Sequence, residues 1–168
     1  RVQFGGFREG TKHWGTDTER LPTIADTPHF EAVRSLLLTA EGYVRSGQYS
    51  DAISLFLSAE NLYPTLWAKM EIGTCYLHQA RYEQAVAAFD ACLAINPNFA
   101  GAICHKGNAL FQLGSLNQAL ACHERAVILQ PTEVAVHVCL AATLEFFAST
   151  KETLSERSLW FERSLAAY

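Results

Sequence analysis

Apolar residues recur at three- and four-residue steps in three stretches, 31–46, 67–79 and 102–113, which places them along one face of a helix in each. Each stretch predicts the first helix of a pair. Short breaks follow at Ser46-Gly47-Gln48, Gln79-Ala80-Arg81 and Leu113-Gly114-Ser115. Glycine enters the left-handed cap conformation without a Cβ penalty, so Gly47 and Gly114 mark helix ends, with Ala80 the exception among the three. Second helices are expected from about Tyr49, Tyr82 and Leu116. They should end before Pro64, Pro97 and Pro131, because proline lacks the amide donor and restricts the residue before it.

The pairs repeat in register. Gly73, Tyr76, Ala85, Phe89 and Pro97 recur 33 residues earlier as Ala40, Tyr43, Ala52, Phe56 and Pro64, and 34 residues later as Gly107, Leu110, Ala119, His123 and Pro131. Small residues at 40, 73 and 107 let a neighbouring helix approach closely, and the aromatic or leucine three positions on fills the space beside it. This pattern resembles the tetratricopeptide repeat (TPR), a helix-turn-helix unit of about 34 residues. The resemblance implies an all-α, right-handed TPR-like solenoid with an extended N-terminal arm. The repeats would lie at about 30–64, 65–98, 99–132 and 133–168, after an arm at 1–29. In the last copy Leu140, Ala141 and Leu144 match the first helix, whereas the second matches only after an insertion of about four residues that brings Phe161 to the place of Phe56 and Phe89. Ser149, Thr150, Lys151 and Glu152 read as a capping box opening that final helix. Trp160, Phe161, Leu165 and Tyr168 leave its outer face apolar, so more repeats or a partner are expected to cover it.

The first thirty residues lack helical periodicity. They are rich in glycine and carry their apolar weight in isolated aromatics, Phe4, Phe7 and Trp14, which are the expected anchors of an arm ordered against a surface, the alternative being a flexible linker. Thr27 and Pro28 suit the cap and first position of the helix that follows.

Composition narrows the function classes. The net charge of −4 lies in the repeats, where 13 acidic residues face 9 basic ones, the arm holding four of each. With no basic stripe there is nothing to hold a phosphate backbone, and no nucleic-acid partner is expected. No apolar run approaches the roughly 20 residues that span a bilayer. Five cysteines without a close pair, and no N-x-S/T sequon, argue against a disulfide scaffold and for an intracellular, cytoplasmic setting. An organelle lumen or matrix after removal of a targeting peptide is the alternative.

Cys104-His105, Cys122-His123 and His137-x-Cys139 carry zinc-ligand residue types on adjacent predicted helices. Against this, Cys92 takes the slot that Ala59 and Ala126 fill, Cys75 precedes the repeat's Tyr76, and neither CxxC nor HxxxH occurs. The expectation is core packing with no metal and no cofactor, and His123 a half-buried ring in the place of the repeat's phenylalanine. A phosphate loop, a GxSxG elbow and HExxH are all missing. Glu83, Asp90, Glu124 and Glu162 are expected to face water, and the chain is read as no enzyme.

In TPR proteins the first helices of successive repeats line a concave groove. Carried over by register, the partner-binding positions here are Arg34, Leu37 and Glu41, then Trp67, Met70, Thr74 and Leu77, then Cys104, His105, Asn108 and Phe111, then Val138. Chaperone-binding members hold a peptide's terminal carboxylate with a clamp of lysines, asparagines and an arginine. At the matching places stand Leu37, Glu41, Glu71, Gly101 and His105, so the resemblance implies that an Hsp70/Hsp90 acidic tail is disfavoured. The expected function is a non-catalytic protein-protein scaffold, adaptor or assembly subunit in a multi-subunit complex, binding an apolar or aromatic segment. The alternative is the regulatory or substrate-recruiting region of a longer enzyme such as a TPR-bearing glycosyltransferase.

Overall fold

A computed structural model describes residues 30–150 together with Leu159, Glu162, Arg163 and Ala166. The arm anchors Phe4, Phe7 and Trp14, the expected Thr27-Pro28 cap, and the apolar Trp160, Phe161, Leu165 and Tyr168 lie outside the described residues. Seven helices follow one another without a strand among the described residues: α1 (Phe30–Arg45), α2 (Tyr49–Leu62), α3 (Leu66–His78), α4 (Tyr82–Ile95), α5 (Ala100–Gln112), α6 (Leu116–Leu129) and α7 (Val134–Thr150). The second helices start at the residues that the periodicity indicates. The protein is all-α.

The turns within pairs share one mechanism. After α1, Gly47 turns left-handed with φ 77°, its amide donates to the Val44 carbonyl and the Gln48 amide reaches back to Tyr43. Gly114 does the same after α5, with φ 76° and bonds to Phe111 and from Ser115 to Leu110. These are Schellman closures, which satisfy the carbonyls that a helix end leaves over. Ala80 corrects the sequence reading. It is not an exception to the geometry, since it takes φ 57° with the same pair of bonds, from Ala80 to Leu77 and from Arg81 to Tyr76. The neighbouring bonds hold an alanine where glycine is the unstrained choice.

Between pairs the stop is proline. Tyr63 and Asn96 close α2 and α4 in extended conformations, as the residue before a proline is driven to be. Thr65 then opens α3, its hydroxyl oxygen accepting from the Ala68 amide at 3.1 Å. The connection is held further by Glu60, which accepts from the Thr65 amide at 2.7 Å and pairs with Lys69.

The chain divides into two compact units, one up to Pro97 and one from Asn98. In the first, α1 packs on α2, α2 on α3 and α3 on α4, with Ala40, Ala52, Ala59 and Ala85 buried at the contacts beside Phe56 and Phe89. Gly73 shows why the repeat needs a small residue. A Cβ placed there would stand 2.6 Å from Cε1 of Phe89. In the second unit α5, α6 and α7 pack mutually, with Ala119, Ala126, Ala141 and Leu144 in the core. Gly107 has the place of Gly73, and there a Cβ would stand 2.5 Å from Nε2 of His123. Ser149 does not open a new helix as expected. It lies within α7, where its hydroxyl donates to the Phe146 carbonyl at 2.7 Å.

Candidate functional site

Two sets of residues are candidates: the register positions on the first helices, and a polar cluster inside the second unit. On α1, Arg34 is exposed and 3.9 Å from Glu31, Leu37 is buried, and half-buried Glu41 is 3.9 Å from Arg45. On α3, Trp67 and Met70 are buried, and the Trp67 ring meets Phe56 of α2 edge-on with centroids 5.6 Å apart. Thr74 and Leu77 are half-buried, and the Thr74 hydroxyl donates to the Met70 carbonyl. On α5, Cys104, His105, Asn108 and Phe111 are all buried, and Phe111 meets Phe146 of α7 edge-on at 5.1 Å. Val138 on α7 is 37% exposed. Of these register positions, Arg34, Glu41, Thr74, Leu77 and Val138 are accessible, while Leu37, Trp67, Met70 and Phe111 are buried.

The second set is drawn from the residues that the sequence reading weighed as zinc-ligand types and assigned to core packing. Cys104 of α5, His123 of α6 and Cys139 of α7 bring their sulfur and nitrogen atoms within 4.8 Å of one another. His123 is fully buried, not half-buried as the sequence suggested. Thr143, also fully buried, donates its hydroxyl hydrogen to the Cys139 carbonyl at 3.0 Å. The same hydroxyl lies within hydrogen-bond distance of Nδ1 of His123, at 2.8 Å. Burial pushes the imidazole pKa down to about 4, so the ring is neutral and carries one proton. Nε2 faces Oδ1 of Asn108 at 3.1 Å.

The thiols divide by environment. A hydrogen bond to Cys139, then burial, holds Cys104 well above the usual thiol range, and the same bond lowers Cys139. In the first unit burial alone is the main cause that pushes Cys75 and Cys92 up to about 12. Those two are packing residues, as their register suggests. No short-range spacing could reveal the cluster, because its members come from three helices. A signal was present in the repeat itself: Met70, Thr74 and Phe89 become Cys104, Asn108 and His123 one repeat later.

Charged groups elsewhere lie on accessible faces. Glu83, Asp90 and Glu162 are exposed, and half-buried Glu124 accepts from Arg163 at 2.5 Å. Among the described residues no helix is long and apolar enough to cross a membrane.

Comparison with known proteins agrees with this architecture. A family profile described as "Tetratricopeptide repeat" matches residues 68–99 and 100–133. Among solved structures, the first TPR of Spaghetti (RPAP3) bound to the HSP90 peptide SRMEEVD superposes with TM-score 0.66 at 20% identity, over 70% of this chain and 94% of that one. The Sgt2 TPR domain from Aspergillus fumigatus gives 0.66 at 18% identity, over 72% and 80%. MamA from Desulfovibrio magneticus RS-1 gives 0.67 at 20% identity, over 80% and 75%. At these identities the likeness is one of fold. A search of the curated proteins gives no significant match. With helix pairs in register, small residues at the close contacts and a profile match on two consecutive pairs, this is an all-α chain carrying a tetratricopeptide-repeat segment, the fold of a protein-protein interaction scaffold.

Proposed function

We propose that the chain is a non-catalytic scaffold subunit whose first helices take an apolar or aromatic segment of a protein partner rather than an acidic peptide tail. The observation that carries this reading is the charge at the clamp positions. Leu37, Glu41, Glu71, Gly101 and His105 include two carboxylates and no lysine or arginine. A peptide such as the SRMEEVD seen on Spaghetti ends in carboxylates, which Glu41 and Glu71 repel instead of pairing. The side chains that would meet a partner are Arg34, Glu41, Thr74 and Leu77 in the first unit and Val138 in the second, with Leu37, Trp67, Met70, Cys104, His105, Asn108 and Phe111 lining the same helices. The repeats are taken as 30–64, 65–98, 99–132 and 133–168, with Phe4, Phe7 and Trp14 in the arm as tethers to a neighbouring subunit of a larger complex.

Displayed peptide libraries panned on the chain test this. Aromatic and aliphatic sequences should be enriched. Binding of a selected peptide, read by fluorescence anisotropy, should weaken roughly tenfold or more in Leu77→Glu, since charge placed at an apolar contact is a hot-spot loss. Glu83→Lys on α4 should leave it unchanged. Binding of SRMEEVD by the unaltered chain, or an equal loss in Glu83→Lys, overturns the reading.

A further inference from the structure

The second unit carries polar donors at a core slot that is apolar in the first. In the first unit the slot beside Gly73 is filled by the ring of Phe89, with Met70 and Thr74 on the facing helix. In the second unit the same three positions carry Cys104, Asn108 and His123, and α7 adds Cys139 and Thr143. All five are buried. The exchanges bring in sulfur, amide and imidazole donors, and those of Cys104, His123 and Cys139 lie within 4.8 Å of one another.

We propose that Cys104, His123 and Cys139 hold one zinc ion inside the second unit, with the Asn108 side-chain oxygen at the fourth corner. The donor set is two sulfurs and one imidazole, which suits zinc among divalent ions. Nδ1 of His123 lies 2.8 Å from the Thr143 hydroxyl, itself bonded to the Cys139 carbonyl, and such a partner on one ring nitrogen orients a histidine whose other nitrogen, Nε2, is to bind the metal. Oδ1 of Asn108 lies 3.1 Å from Nε2 of His123, near enough to join the three donors. A cation at that point binds both.

The charges also balance. Zn²⁺ displaces one proton from each thiol, both protons leave to solvent, and two thiolates neutralise the ion, so that no net charge is buried. Zinc bonds of about 2.0–2.3 Å put tetrahedral donors about 3.3–3.8 Å apart. Donor atoms within 4.8 Å of one another need only a small contraction to reach that geometry. Because the donors are buried on three different helices, the ion enters as the unit folds and ties α5, α6 and α7 together. Among the described residues of the first unit the corresponding slot is closed by Phe89.

The full chain, purified under reducing conditions and stripped with a chelator, is titrated with cobalt(II) as a spectroscopic stand-in and then with zinc. One equivalent of cobalt should give tetrahedral d–d bands and a thiolate charge-transfer band, which one equivalent of zinc should bleach. Zinc should also raise the thermal midpoint by several degrees. Cys139→Ala and Cys104→Ala should lose the bands, while Cys92→Ala, in the first unit, keeps them. If either cysteine variant does not fold, His123→Phe serves. It restores the ring found beside Gly73, should fold without metal, and should lose both the bands and the zinc-dependent shift. Failure of the unaltered chain to take cobalt or zinc, or bands that survive in His123→Phe, overturns the proposal. Neither result touches the peptide-binding reading, whose assay uses different residues.

Discussion

Replacing Gly73 by alanine sets two known effects against each other. In a helix interior the exchange is worth about 1 kcal/mol of stability through backbone entropy and solvation. Gly42 in α1 isolates that gain, since a Cβ added there meets nothing within 4 Å. At Gly73 the same atom would lie 2.6, 2.8 and 2.9 Å from three carbons of the Phe89 ring. Carbon atoms in contact prefer about 3.5–4.0 Å, so ring and helix must part by about 1 Å. Phe89 has no exposed surface into which to move. Overpacking of this kind costs typically about 1–3 kcal/mol. Gly73→Ala should therefore destabilise the first unit by about 1 kcal/mol net, and Gly73→Leu by more, while Gly42→Ala stabilises it. Urea titration followed by far-UV circular dichroism reads both signs on one unit. Phe89→Leu should relieve part of the clash, giving a coupling of at least about 0.5 kcal/mol in a double-mutant cycle. If Gly73→Ala is as stable as Gly42→Ala, the close contact between α3 and α4 is not what the repeat's small residue serves.

The turn at Ala80 should gain from Ala80→Gly, by up to about 1 kcal/mol, because φ 57° strains an L-residue and not glycine; a loss in the melting temperature would contradict the left-handed assignment. Glu60→Ala should lower stability by about 2 kcal/mol, since it removes both the acceptor of the Thr65 amide and the partner of Lys69, and a chemical melt indistinguishable from the parent would rule that out. Cys92, raised from 9.0 to about 12, favours its neutral form when folded, so its contribution is full below pH 9 and is lost as pH rises from 9 toward 12. Cys92→Ala, which installs the residue found at 59 and 126, should flatten the stability profile across that window, and an unchanged alkaline slope would count against it. Half-buried Cys122 should be alkylated before buried Cys75 and Cys92 in the native chain, with mass mapping of the modified peptides as the check.

Local rules carried most of the fold. Helix starts at Tyr49, Tyr82 and Leu116, the left-handed turns at Gly47 and Gly114, and the stops before Pro64, Pro97 and Pro131 depend on side-chain periodicity and backbone sterics within a few residues. Such constraints are written in contiguous sequence. The small residues at 40, 73 and 107 were also legible, because a 33- or 34-residue register aligns them with the aromatic that each must admit.

Tertiary structure decided what the register could not. Whether Trp67 and Phe111 stand as an open wall or pack into a core depends on which side chain the neighbouring helix brings up, and here Phe56 and Phe146 meet them edge-on. Ala80 is left-handed because the bonds from Ala80 to Leu77 and from Arg81 to Tyr76 outweigh a local preference of about 1–2 kcal/mol. Cys104, His123 and Cys139 each looked like a core residue alone. Periodicity along one helix assigns a side chain to a face, but only the packing of α5, α6 and α7 sets the distance between donor atoms that are remote in the chain, and distance is what makes three buried side chains one site.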